Sequence, residues 1–322
     1  MTSLGMRRSG IGALVSPIWI VLLAVIIIAA LVSDKFLGAT NLIAVLQQVV
    51  IAGIVALGMN IVLIGGHFDL STGSIVMMSA VFALLIGPAG FGGTLLAVLL
   101  PIVAGIAVGF LNGLAVFKGR ANSIVATIGM QFLVLGGTLA LVKGQHVRAE
   151  EIGPAFNAIA HARILGVPLS VVIFLALVSV TGILMSATVF GRHVYAMGGD
   201  EEAARRSGVN VTRIGVITFM ISGALAAVSG VLVASLVGLV DPTAIGRYEF
   251  PALTAVVLGG SSLAGGIGRP ADTAAAILAL SVITNVMTIN DYQYPLQLMV
   301  QGLLLTLAVA FYAWQKSQGG RA

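Results

Sequence analysis

The chain has 322 residues, 59% of them hydrophobic and only 8% charged, with sixteen Lys and Arg against eleven Asp and Glu and no cysteine. A soluble domain carries roughly a quarter charged residues, so the composition excludes a soluble fold and describes a polytopic membrane protein; the formal charge of +5 reads as topology information rather than nucleic-acid binding. Without cysteine there are no disulfides, thiol chemistry or Cys-ligated metals, and the 41 glycines suit close helix packing in a membrane.

In chain order, Arg7 and Arg8 precede an apolar stretch at 18–32, which reads as an uncleaved first span because no small-residue cleavage site accompanies it. A span needs roughly 20 apolar residues. The candidates are 17–33, 42–65, 73–87, 94–117, 122–142, 165–189, 214–238, 251–264, 271–289 and 294–314. The third and eighth are short and read equally as half-helices. The expectation is an all-α polytopic membrane protein with about ten transmembrane or re-entrant helices. Its membrane domain covers 17–314, flanked by tails at 1–16 and 315–322. Basic residues favour the cytoplasmic side. With both termini cytoplasmic, Lys118, Arg120, the 190–213 loop, Arg269, Lys316 and Arg321 lie inside. Segments 143–163, 239–250 and 290–293, where Lys143, Arg148, Arg163 and Arg247 mix with Glu150, Glu151, Asp241, Glu249 and Asp291, lie outside.

Two glycine-rich segments interrupt the apolar pattern. Ile64-Gly65-Gly66-His67-Phe68-Asp69-Leu70-Ser71-Thr72-Gly73-Ser74 follows the second span, and Leu258-Gly259-Gly260-Ser261-Ser262-Leu263-Ala264-Gly265-Gly266-Ile267-Gly268 falls late in the chain. Paired interruptions in two halves point to an internal repeat around a central pathway. Non-helical backbone at membrane depth persists only where protein or water satisfies its polar groups. Gly65, Gly66, His67, Asp69, Ser71 and Ser74, with Gly259, Gly260, Ser261 and Ser262, are therefore pathway or hinge candidates. Asp69 reads either as a costly, functional intramembrane acid or as a cap on the helix that begins near Ser71. His67 has no partner at metal-ligand spacing and reads as a lining or packing residue. The serines offer hydroxyls to a passing solute or bond neighbouring helices.

The 191–210 stretch concentrates charge: Asp200, Glu201 and Glu202 with Arg192, Arg205 and Arg206. It sits between two apolar runs and so lies outside the lipid, where a soluble partner can read it. The alternative is a solvated connector stabilised by helical pairs of Glu201 with Arg205 and Glu202 with Arg206. Gln297 and Gln301, four apart on one helix face, read as interhelix bonding or as pathway residues. Trp19 and Trp314 read as interface anchors.

These motifs resemble a known family. Residues 65–74 are similar to the Gly-Gly-Ile-Asp-Leu-Ser-Val-Gly-Ser motif of the ribose-type ABC sugar permeases, 191–210 to their Gly-Arg-x-x-Tyr-Ala-x-Gly-Gly-Asn-x-x-Ala-Ala-x-x-Ser-Gly-Ile motif, and 257–266 to their Gly-Gly-Thr-Ser-Leu-x-Gly-Gly motif. Phe110-Leu111-Asn112-Gly113 and Ile124-Val125-Ala126-Thr127-Ile128-Gly129 also fit, and the order holds from about residue 41 to 312. The resemblance implies a permease subunit of an ABC importer in the inner (plasma) membrane. It would pair with a second permease copy, as homodimer or heterodimer. A periplasmic or lipid-anchored binding protein would deliver a small pentose or hexose, and a cytoplasmic ATPase, not this chain, would use the ATP. It also implies that Gly198, Gly199, Asp200, Glu201, Glu202, Ala203, Ala204, Arg205, Ser207 and Gly208 form the coupling loop that docks on the ATPase. The chain then holds no catalytic residue, metal or cofactor of its own. A branched-chain amino acid, nucleoside, polyol or signalling furanose remains an alternative solute.

Departures from the family pattern fall at His67 and Thr72 beside Asp69, at Asp200 for the usual Asn, at Arg120-Ala121-Asn122-Ser123 where a proline pair is common, and at Pro251. Two other classes compete. An ion-coupled secondary transporter would use Asp69 as its coupling acid. A membrane enzyme lacks a constellation: the four histidines are scattered, and no HExxH, GxSxG or Walker A motif is present.

Overall fold

The computed structural model describes residues 16–87, 89–149, 152–242 and 248–319. Arg7, Arg8, Glu150, Glu151, Arg247 and Arg321 lie outside the described residues, as do the side chains of Trp314 and Lys316. The fold is almost wholly helical. α1 (Pro17–Val32) opens on a proline, whose missing N–H costs nothing in a first turn. α2 (Ala39–Ile64) and α3 (Thr72–Leu85) flank the first glycine break. α4 (Gly90–Gly113) runs into a π-helical turn at Leu114–Lys118. α5 (Ser123–Leu141) starts at Asn122, whose side chain accepts from the N–H groups of Ile124 and Val125.

Beyond it come β1 (Val147–Arg148), α6 (Pro154–His161), the hairpin β2 (Arg163–Ile164) and β3 (Val167–Pro168), and α7 (Leu169–Ala187). α8 (Val189–Gly199) and the six-residue α9 (Glu201–Arg206) then lead into α10 (Val211–Val237). β4 (Leu239–Val240), α11 (Glu249–Leu258), α12 (Pro270–Ile289) and α13 (Tyr294–Gly319) complete the chain.

Among the described residues, six helices are long and apolar enough to cross a membrane: α2, α4 with its π turn, α5, α7, α10 and α12. α1, α3, α11 and the apolar part of α13 are shorter. Each of the ten sequence candidates overlaps one of these helices. The eighth overlaps α11, whose ten residues make about 15 Å of helix against a core about 30 Å thick; the rest of that candidate is non-helical. The 190–213 segment holds more order than a loop, since α8 fills its first half.

α10 is the central element and packs on α2, α3 and α4. Lipid tails are as apolar as leucine, so helices in a membrane associate through close van der Waals contact and hydrogen bonds. Gly105, Gly109 and Gly113 recur four apart on α4 and let its backbone meet that of α10: a Cβ at Gly105 would stand 2.5 Å from the Gly223 carbonyl, and one at Gly113 2.7 Å from Val216 Cα. Gly58 of α2 meets Ser222 in the same way, with a Cβ 3.0 Å from its Cα. Side chains pin α12: Asn41 and Asn285 exchange amide hydrogen bonds at 3.0 and 2.8 Å, and the Trp19 indole donates to Asp272 at 2.9 Å.

The two ends of α10 organise the two ends of the bundle. At its C-terminal end β1 pairs antiparallel with β4, Val147 opposite Val240, and Ser235 Oγ donates to the Phe156 carbonyl at 2.6 Å. Segments 143–163 and 239–250, assigned to one side from their charges, therefore meet. α8, α9 and the π turn gather at the N-terminal end.

Candidate coupling and translocation site

The two glycine breaks begin with the same backbone geometry. Gly65 caps α2 at φ −70°, ψ 0° and Gly66 turns to φ 86°; Gly259 caps α11 at φ −67°, ψ 0° and Gly260 turns to φ 84°. The hydrogen bonds match too. His67 N–H donates to Val62 and Gly66 N–H to Leu63 in the first, Ser261 N–H to Val256 and Gly260 N–H to Val257 in the second. Both are Schellman ends, whose left-handed residue favours glycine. The paired interruption seen in the sequence is thus a repeated local structure. Asn60 Nδ2 joins the two by donating to Ser261 Oγ at 2.7 Å.

Past its turn, the first break lends its amides to side chains. Phe68 N–H donates to Ser123 Oγ at 3.2 Å and Leu70 N–H to Thr127 Oγ1 at 3.1 Å, both on α5. Asp69 is fully buried. Its Oδ1 accepts from Ser71 N–H at 3.1 Å and Ser71 Oγ at 2.6 Å, and its Oδ2 accepts from Ser222 Oγ of α10 at 2.8 Å. Asn112 Nδ2 of α4 donates to Ser71 Oγ at 2.8 Å, and Ser74 Oγ donates back to the Ser71 carbonyl at 2.7 Å. The carboxyl therefore holds the residue that precedes α3 and also bridges to α10. In the second break Ser262 N–H donates to the Ile267 carbonyl and Ser262 Oγ accepts from Ala264 N–H.

α8 and α9 follow from local rules. Thr188 Oγ1 caps α8 through Gly191 N–H at 3.2 Å. Asp200 Oδ1 caps α9 through Ala203 N–H at 2.9 Å. α9 closes in a third Schellman end, with Gly208 at φ 86° and Val209 N–H donating to the Ala204 carbonyl. Asn210 caps α10 through Arg213 N–H at 3.0 Å. Arg205 pairs with Glu201 at 2.7 Å and Arg206 with Glu202 at 2.6 Å. These exposed pairs contribute about 0.3–0.5 kcal/mol each, so the caps matter more. Ala204 alone turns inward, packing with Met197 and Val211.

A cavity of about 790 Å³ opens beside α9, lined by His67, Phe117, Lys118, Arg120, Glu201, Glu202 and Arg205. His67 packs edge-on to Phe117 with ring centroids 4.6 Å apart. Burial lowers its pKa below the usual histidine value, the Glu201 charge opposing. Burial raises the Tyr195 phenol above its ordinary range, with Arg269 opposing, so the hydroxyl remains a donor.

The structure gathers the first break, the second break and the α8–α9 segment at one end. Gln297 and Gln301 stand apart: Gln297 Nε2 donates to Thr288 Oγ1 and the Tyr292 carbonyl, at the far end of α12 from the second break. Twenty helical residues separate those ends, about 30 Å. Tyr195, Asn60, Asn112, Ser222, Ser123 and Thr127 join the site although they were not among its sequence candidates. Asn60 and Asn112 are amides inside apolar spans, a readable signal; Ser222, one small residue among many, offers none.

The model of a family described as branched-chain amino acid transport system permease component matches residues 41–309. The ribose import permease protein RbsC of Escherichia coli (strain K12) is 35% identical over 293 residues, 90% of this chain and 91% of that protein. RbsC of Bacillus subtilis (strain 168) is 33% identical over 289 residues, 89% of each chain. The L-arabinose transport system permease protein AraH of Escherichia coli (strain K12) is 33% identical over 302 residues, 91% of this chain and 88% of that protein. No solved structure matches.

Proposed function

Because the chain belongs to the family of branched-chain amino acid transport system permease components, we propose that it is the membrane-spanning permease subunit of an ABC importer for a small sugar of pentose or hexose type. The observation that carries the importer reading is α9: a short, exposed helix, capped at both ends, set between two spans. The sugar class rests on the ribose and L-arabinose permeases, which align with nearly the whole chain. Its partners are a cytoplasmic ATPase, a periplasmic or lipid-anchored binding protein and a second permease copy. Its place is the inner membrane, with about ten transmembrane or re-entrant helices, a membrane domain at 17–314 and both tails, 1–16 and 315–322, in the cytoplasm.

ATP-driven closure of the ATPase pair moves the 198–208 segment of each copy. α9 travels as a unit because both its ends are capped. The displacement reaches α8 and α10, and the pathway changes the side to which it opens. The breaks at Gly65–Ser74 and Gly259–Ser262 line or hinge that pathway, with Gln297 and Gln301 toward its other end. Selectivity lies mainly in the binding protein. Asp69 already accepts three hydrogen bonds from the protein, which favours a structural part for it over ion coupling.

The test is ATP-dependent uptake of labelled ribose and L-arabinose into proteoliposomes holding the complete importer. Saturable uptake of one of them is expected. The family description favours a second reading, a branched-chain amino acid; leucine uptake without sugar uptake would select it.

A further inference from the structure

The last turn of α8 touches both glycine breaks at once. Tyr195 Oη donates to the Gly268 carbonyl at 2.7 Å. Met197 lies against Gly65, where a Cβ would stand 2.8 Å from its Cε. Between the breaks themselves, Gly266 N–H donates to the Ile64 carbonyl at 2.8 Å. Gly198 sits directly on that hydrogen bond, and a Cβ there would run into both Ile64 O and Gly266 N. From the other side, a Cβ on Gly265 would stand 2.6 Å from Gly198 O and 2.7 Å from Gly66 Cα. Gly66, Gly265 and Gly266 hold φ of 86°, 86° and 74°. Three backbones cross here with no side chain between them, an arrangement open only to glycine.

The residue after this crossing but one, Asp200, caps α9. Backbone contacts have no rotamers to absorb a displacement, and packed interfaces switch between discrete arrangements rather than deform smoothly. Building on the importer reading above, we propose that this three-way glycine joint carries the motion of α9 to both breaks, and that Tyr195 is its positioning residue, fastening the second break to α8 at Gly268. The first break is also fastened to α10 through Asp69 and Ser222. A shift of α8 relative to α10 therefore shears the first break between two anchors, while the second break follows α8.

Tyr195→Phe removes the hydrogen bond and keeps the ring. It is compared with wild type as the assembled importer in proteoliposomes, using whichever of ribose and L-arabinose the wild type takes up. ATP hydrolysis stimulated by the loaded binding protein should stay within about twofold, while sugar moved per ATP falls about fivefold, the fold-change of one ordinary hydrogen bond. An unchanged ratio would overturn the inference. A chain without cysteine allows a second measurement that does not depend on that variant. Spin labels at Arg192→Cys and Ile267→Cys, both exposed, should keep one separation with and without ATP, whereas a change in it would show α8 sliding on the second break and refute the joint. Wild-type uptake that needs no ATPase would be a different failure, removing the importer reading and this inference with it.

Discussion

Asp69 is buried with both carboxyl oxygens occupied, and its bonds run to Ser71 on its own segment and Ser222 on α10. Removing it strands three donors, each costing about 1–3 kcal/mol when left buried and unpaired. Asp69→Ala should therefore lower the unfolding midpoint of the detergent-solubilised protein far more than Ser222→Ala, which removes one donor. Equal losses would mean that the carboxyl does not hold the segment. His67 offers a test by pH. Its pKa is lowered by burial, so below the unfolded value of about 6.5 the unfolded chain takes up a proton that the folded chain refuses. Acidification through that window should cost the wild type stability that His67→Leu does not lose, measured as the difference between their melting midpoints at pH 7.5 and about 5.5. Parallel curves would contradict the burial argument.

At the scale of elements, α9 is the clearest case of structure written locally. Its Asp200 cap, its ion pairs four residues apart and its Gly208 terminator all lie within nine residues, and the charges and glycines were visible in the sequence. Asp200→Ala should cost about 1 kcal/mol of helix stability, and Gly208→Ala about as much through its positive φ. Each should weaken binding of the ATPase in a titration of the purified subunits, and an unchanged affinity for both would remove α9 from the docking surface. The glycine breaks were legible as interruptions, because Gly-Gly ends an apolar run. Their partners were not. Ser123 and Thr127 accept the amides of Phe68 and Leu70 across more than fifty residues of chain, and nothing in a serine's neighbours announces such a contact. α8 was hidden for another reason: the apolar run of α7 continues through Val189, and only Thr188 marks the boundary.

For the whole molecule, the apolar pattern was enough to mark, among the described residues, the six helices long and apolar enough to cross a membrane and the four shorter apolar ones. Their lengths were harder to read. α11 stops after ten residues because Gly259 and Gly260 turn the chain, short of the candidate span's end at Ala264. The convergence of Gly66, Gly198 and Gly265 was not legible at all, since it joins segments far apart in sequence by backbone contact alone. That convergence places the exposed α9 and both breaks at one end of the bundle, as a permease driven from one side requires. The most direct test of this account is solute uptake by proteoliposomes with the partner ATPase and binding protein, wild type against Glu201→Ala/Glu202→Ala. The account predicts uptake that requires the ATPase and a double variant that loses ATPase association while remaining folded in the membrane. Uptake that proceeds without the ATPase and follows an ion gradient would contradict it.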